Sequence, residues 1–196
     1  MPKHLFVFRH GETDWNAEER FQGHIDIPLN DRGREQARGL IPRLRPHDVQ
    51  AILSSDLSRA LETGRIVAEA CGIPLHVHAG LREAHLGEAQ GLTRAEIEAK
   101  FGEELARRWR SWHVSDADVQ YPGGETGVAI MARVMGALEE FLRAHPFERM
   151  GVACHGGVIR RLMQKILPPG SEPVPIPNGV VYHLTWDDGT WTAEDL

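Results

Sequence analysis

Three short, almost wholly apolar runs constrain this chain more than any other feature: Leu5-Phe6-Val7-Phe8, Ala51-Ile52-Leu53-Ser54 and Gly151-Val152-Ala153-Cys154. Runs of strand length without an alternating polar face belong to strands buried on both sides. Such strands occur in mostly parallel sheets covered by helices on both faces. Helical patterns do lie between them. Residues 31–45 read as an amphipathic helix with Asp31 as its N-cap. A second helix over 58–70 stops at Cys71-Gly72, with Pro74 beyond. A weaker strand is expected at 75–78, and helices at 93–100, 103–112, 126–144 and 157–167. A hairpin over 180–186 and 190–193, turning at Asp187-Asp188-Gly189, closes the chain. Five prolines between residues 168 and 177 make that segment a loop. The expected fold is a three-layer α/β sandwich in which residues 1–196 form one domain.

Composition narrows the function classes. With 41% hydrophobic and 26% charged residues the chain is of ordinary globular type, and a net charge of −6 gives no support to nucleic-acid or membrane-surface binding. Cys71 and Cys154 are too few for a disulfide framework and suit a reducing compartment. No basic-then-apolar leader and no run of membrane-spanning length is visible, so a cytoplasmic location is expected.

The strand ends carry the chemistry. The first delivers Arg9 and His10, the second Ser54-Ser55 and then the helix with Arg59, the third His155 followed by Gly156-Gly157. Parallel strands bring these groups to one sheet edge, where open α/β sheets bind ligands. Arginine offers a planar fork of donors matched to a phosphoryl group. Histidine is a nucleophile that is neutral at working pH. Glycines at a helix start let backbone N–H groups approach an anion. Together these residues describe a phosphate site with a built-in nucleophile.

Further motifs surround this set: Arg9-His10-Gly11-Glu12-Thr13, Trp15-Asn16, Phe21-Gln22-Gly23, Leu29-Asn30 before Gly33, Ser54-Ser55-Asp56-Leu57-Ser58-Arg59-Ala60, Leu81-Arg82-Glu83 and His155-Gly156-Gly157. With them the sequence resembles the histidine phosphatase superfamily along nearly its whole length, in the branch of the cofactor-dependent phosphoglycerate mutases and their phosphatase relatives. The resemblance implies a phosphoglycerate mutase-like fold and His10 as the nucleophile that becomes phosphorylated. It implies Arg9, Arg59 and His155 as groups that bind the phosphoryl and stabilise its charge. Asn16, Gln22, Gly23 and Gly156 complete the pocket. Glu83 is implied as the general acid that protonates the leaving oxygen and later activates water. No metal and no cofactor are implied. The partner expected is a small phosphorylated substrate, and the sequence holds no signal for an oligomeric state.

The same residues admit blander roles. Asn16 and Gln22 suit loop residues that satisfy backbone groups, Glu12 suits a residue that holds its loop, and Glu88 competes with Glu83. His4, His24, His47, His76, His78, His85, His113, His145 and His183 suit surface or satisfied polar groups, and Trp109, Trp112 and Phe101 suit core packing. Cys154 to Arg160 also matches the spacing C-x-x-G-x-x-R of cysteine-dependent phosphatases. That match is imperfect at Ala153 and Arg161 and leaves Arg9, His10 and Arg59 unused.

Gln90-Gly91-Leu92, Trp109-Arg110 and the basic Arg94 resemble the mutases. Against mutase activity stand Leu86 in place of their tyrosine, Ser111 in place of a second arginine, and only Tyr121-Pro122-Gly123-Gly124-Glu125 in place of a long insertion. A mutase must retain a bisphosphate intermediate while it reorients, whereas a short open lid admits water. The expected activity is phosphomonoester hydrolysis. A mutase is the alternative, and a phosphoester-binding module without catalysis is disfavoured because His10 and Glu83 are both retained. Arg94 and Arg110 are candidates for contact with a second acidic group, or else solvated helix residues.

Overall fold

A computed structural model describes residues 1–112 and 116–194. His113 lies outside them. Strand β1 (Lys3–Arg9) buries the four residues from Leu5 to Phe8, and β2 (Ala51–Ser54) is buried throughout. With β3 (Leu75–Val77), β4 (Arg149–Cys154), β5 (Val181–Asp187) and β6 (Thr190–Glu194) they form one sheet in the order β3-β2-β4-β1-β5-β6. The first four strands in that order run parallel, in keeping with the burial of β1, β2 and β4, and the β5–β6 hairpin adds an antiparallel edge. The sheet is therefore mixed.

A single helical turn, α1 (Asp14–Ala17), follows β1, and each sheet face has its own core. Phe6, Phe8, Ile52 and Ala153 pack with Leu40 and Leu44 of α2 (Asp31–Leu44) and Val67 and Ala68 of α3 (Ser58–Cys71). Leu5, Val7, Leu53 and Val152 point to the other face. There they meet α6 (Gly127–Ala144) and α7 (Gly156–Ile166), with α4 (Arg94–Phe101) and α5 (Glu103–Trp109) beyond. The three-layer expectation holds. Among the described residues no helix is long and apolar enough to cross a membrane.

The cap of one helix and the end of another differ from expectation for local reasons. The cap of α2 is Asn30, not Asp31: Asn30 is extended and its Oδ1 accepts the Gly33 N–H at 2.8 Å. Asp31 is already helical and favours the helix dipole from the first turn. Helix α5 ends at Trp109 rather than Trp112. The carbonyls of Arg110, Ser111 and Trp112 are taken by Arg160 and Gln164 side chains from α7. Tertiary donors replace the helical ones.

The loop after β1 is pressed against the start of α2. A Cβ on Gly11 would lie 2.2 Å from Gly33 O, and one on Gly33 would lie 2.1 Å from Glu12 O. Glu12 holds the loop, as the sequence suggests: its N–H donates to Gln36 Oε1 at 2.7 Å, and its carboxylate accepts from Asn30 Nδ2 at 3.1 Å. Gly33→Ala is expected to lower stability by about 1–3 kcal/mol through backbone displacement. The check is a lower urea midpoint at unchanged slope, with weakened activity because the loop carries His10. An unchanged midpoint would mean that the two segments part freely.

Candidate active site

The parallel register aligns the chemical groups. Arg9 is opposite Cys154, and Ser54 is opposite Ala153. One residue on, His10 N–H donates to Cys154 O and Ser55 N–H to Ala153 O, both at 3.0 Å. His10, Ser55 and His155 thus leave three adjacent strands at the same level.

His10 is buried, and its Nδ1 lies 2.6 Å from Gly11 O. A carbonyl only accepts, so Nδ1 carries the proton and Nε2 keeps its lone pair. Burial first, then the charges of Arg9 and Arg59, hold this imidazole well below the ordinary histidine value of 6.5. It is a neutral ring whose Nε2 lone pair is free. The His155 ring centre is 5.2 Å away. Its Nε2 is 2.8 Å from Ser55 Oγ, while Nδ1 is buried without a protein partner. With the Ser55 hydroxyl proton directed at Nε2, Nδ1 becomes a donor.

Both arginines are half satisfied. Arg9 donates through Nη1 to Ile176 O at 2.8 Å, and Arg59 to Gly23 O at 2.7 Å and Ile25 O at 3.0 Å. The Nε atoms of both are buried without an acceptor. Burial pushes Arg59 down to about 10, against the opposing charges of Glu83 and Asp26. A buried unsatisfied donor costs about 1–3 kcal/mol. Three of them beside one neutral imidazole make an anion site.

Glu83 enters from the loop after β3. Its Oε1 accepts the Ala84 N–H at 2.9 Å, and its Oε2 the Gly157 N–H at 3.0 Å at the start of α7. A Cβ on Gly157 would lie 2.3 Å from Glu83 Oε1, so a side chain there would push the carboxylate aside. Arg133 of α6 fixes the loop. It donates to the carbonyls of Gly80 and Arg82 at 2.9 Å and of Glu83 at 3.2 Å. Glu125 grips Arg133 through both oxygens, at 3.0 and 2.8 Å, and also accepts the His85 N–H at 2.8 Å. His24 Nε2 completes the anchor at 2.7 Å from Glu83 O.

A cavity of about 310 Å³ joins these groups. Arg9, His10, Asn16, Gln22, Gly23, Arg59, Glu83 and Gly156 line it, while His155 lies behind against His10. Asn16 also fills the blander role: its Oδ1 accepts from Thr13 N, Thr13 Oγ1 and Asn178 Nδ2, each at 3.2 Å. Gln22 is buried with Oε1 unpartnered, and Gly23 contributes its carbonyl to Arg59. Trp109 belongs to the core as expected, yet it also lines the cavity beside Phe21, Leu86 and Ile176. Glu88 is outside, paired with Lys100 at 3.0 Å, which removes it as rival to Glu83. Arg94 and Arg110 do not line the cavity, and both pair with Glu98. Burial raises Cys154 far above an ordinary thiol, and its sulfur is no cavity wall. A buried, protonated thiol away from the cavity is poorly suited to attack a phosphate there. Among the described residues no cluster of three or more His, Cys, Asp and Glu side chains is arranged to hold a metal ion.

Sequence reasoning missed Arg133, Asn178 and the wall position of Arg160. Asn178 Nδ2 donates to His10 O at 2.9 Å from the proline-rich loop. The Pro177-Asn178-Gly179 turn was its only signal. Arg133 had none, being one charged residue on a long helix.

A neutral histidine among buried guanidinium groups at parallel strand ends defines a phosphoryl-transfer site on an α/β fold. The chain belongs to the histidine phosphatase superfamily, branch 1, whose model matches residues 5–196. It is 39% identical over 194 residues to phosphoglycerate mutase-like protein 4 of Arabidopsis thaliana, covering 97% of this chain and 83% of the relative. It is 36% identical over 170 residues to the metal-independent phosphoserine phosphatase of the same plant, covering 85% and 70%. Among solved structures, a mycobacterial glucosyl-3-phosphoglycerate phosphatase superimposes with a TM-score of 0.84 at 31% identity, over 99% of this chain and 98% of that one. YhfR of Bacillus stearothermophilus superimposes with a TM-score of 0.84 at 32% identity, over 97% and 95%. The chain is thus a histidine phosphatase of the phosphoglycerate mutase-like branch.

Because His10 and His155 both have lowered values, the unfolded chain binds protons below about pH 6.5 that the folded chain refuses. Stability should therefore be full above pH 6.5 and fall as the solution is acidified towards 5. Melting temperatures at pH 7, 6 and 5 check this, and the slope should lessen in His155→Gln. A flat profile would contradict buried, uncharged rings.

Proposed function

We propose that this protein hydrolyses phosphomonoesters of small metabolites through a phosphohistidine at His10, without a metal or cofactor. The observation that carries the reading is the free Nε2 lone pair of His10, facing the same cavity as Glu83 and the unpaired Nε atoms of Arg9 and Arg59. In the first step Nε2 attacks phosphorus, the P–O bond to the alcohol breaks, and Glu83 gives its proton to the departing oxygen. In the second, Glu83 takes a proton from water, the water oxygen attacks phosphorus, and the P–N bond breaks to release phosphate. Arg9, Arg59, His155 Nδ1 and the N-terminus of α7 hold the charge on the phosphoryl oxygens in both steps.

Hydrolysis is favoured over mutase action by the segment from Tyr121 to Glu125. It is short and bound to the backbone beside the site, with Glu88 N–H on Pro122 O at 2.9 Å and Glu125 N–H on His85 O at 2.8 Å. So tethered, it supplies no cover over the cavity. The wall there is the apolar Leu86, which cannot hold a second phosphate. The relatives named for phosphoserine and glucosyl-3-phosphoglycerate hydrolysis support a phosphatase of small metabolites.

The test is leaving-group dependence. Glu83→Gln should lose about a hundred- to ten-thousandfold on glycerol or sugar phosphates, which need protonation, and far less on nitrophenyl phosphate. Acid-labile phosphohistidine should build up on this variant and be absent from His10→Ala. Equal small losses on both substrate types would reject Glu83 as the acid.

Arg133 acts through Glu83 as a positioning residue. Arg133→Met should reproduce the selective loss on alkyl phosphates in weaker form, be partly rescued by lysine, and add little in the Glu83→Gln background. Additive losses that ignore the leaving group would assign Arg133 to stability alone.

A further inference from the structure

A second cavity, of about 540 Å³, opens between α6 and α7 and shares no lining residue with the phosphoryl site among the described residues. Val128, Met131, Ala132 and Leu167 make its wall largely apolar, and Val128 is 58% exposed. One charge on that wall is unbalanced. Arg161 is only 5% exposed, and a Cβ on Gly127 would lie 2.7 Å from its Cζ. Both residues line the cavity, so the guanidinium itself is at the wall, pressed on the first residue of α6. That end of a helix is the positive one, where a cation is disfavoured, and α6 has no acidic residue in its first turn. Arg161 Nη1 donates to Gln164 Oε1 at 2.9 Å, and the guanidinium forms no ion pair among the described residues. Its Nε and Nη2 have no acceptor in the protein, yet neither is sealed off as the Nε atoms of Arg9 and Arg59 are. Asp116 and Glu83, the acids that act on it, are held by Arg108 and by the Ala84 and Gly157 N–H groups. Arg160 adds repulsion, and Lys165, one turn further along α7, puts a second cation on the wall.

We propose that this cavity is a second ligand site, which takes a small organic acid with its carboxylate on Arg161 and its apolar chain along Val128, Met131 and Leu167. A carboxylate there accepts from the guanidinium fork and offsets the positive helix end. The volume falls among small-molecule sites, which span about 300–1,000 Å³ and combine apolar walls with a few fixed polar groups. The site is independent of the phosphoryl chemistry.

Octanoate is the probe, with 1-octanol and octylammonium as chain-matched controls. Calorimetry in saturating inorganic phosphate keeps the phosphoryl site occupied during the titration. Octanoate should bind one to one, roughly ten- to hundredfold more tightly than octanol, the worth of one charged hydrogen-bonded contact. Octylammonium should bind least. Arg161→Met should bring octanoate down to the octanol level, and Arg161→Lys should keep part of the difference. Val128→Glu changes an exposed residue and guards against misfolding of the Arg161 variants. It places a resident carboxylate in the first turn of α6, so octanoate binding should be lost while the melting temperature rises. Equal affinity for octanoate and octanol overturns the proposal. So does octanoate binding that survives Val128→Glu, or that is abolished by phosphate.

Discussion

The backbone ladder between β1, β4 and β2 is what the rest of the site depends on. Two hydrogen bonds just past the strands, His10 N–H to Cys154 O and Ser55 N–H to Ala153 O, carry the parallel register one residue into the loops. They set His10, the Ser55 hydroxyl and the strand-end His155 at one level. A slip of one residue in a strand reverses which side chains face each core. Here the penalty is doubled, because Leu5 and Val7 pack into one layer while Phe6 and Phe8 pack into the other. Packing on both faces therefore fixes catalytic geometry at the edge.

Charge is the second constraint, and it opposes folding. Arg9, Arg59 and Arg160 are all depressed by burial, with mutual repulsion adding to it. Carbonyl oxygens of Ile176, Gly23, Ile25 and Arg110 hold one or two nitrogens of each, and Glu83 is the acidic group common to all three. The Nε atoms of Arg9 and Arg59 are left buried without an acceptor. On the proposed reading an arriving phosphoryl group would supply acceptors to donors that are already oriented. The same donors weaken the free protein, a trade common at sites of this kind.

Glu83 shows how a loop residue acquires precision. It has no regular element of its own, and its main chain is held from outside by Arg133 and His24. The carboxylate is then aimed by two N–H groups, one local and one at the start of α7. A charged helix residue far away in the chain thus governs where the Glu83 carboxylate lies. Asn178 does the equivalent for the His10 loop from the proline-rich segment.

By itself the sequence determined the layered fold and the groups that meet at its strand ends. Unbroken apolar runs can only be strands covered on both faces, and Arg9, His10, Arg59, Glu83 and His155 follow from the motifs attached to those runs and their loops. It determined less where partners are distant. Asp31 looked like the cap of α2 because capping residues are interchangeable by type, and only backbone conformation chose Asn30. The end of α5 depended on Arg160 and Gln164 reaching it from α7. Tertiary structure alone removed Glu88 and Cys154 from the chemistry and kept Arg94 and Arg110 out of the cavity, by placing them against Lys100, the core and Glu98. It also brought Arg133 and Arg160 to the site. Periodicity and local motifs report what a residue does within its own element, whereas contacts between residues dozens apart arise only when the layers close.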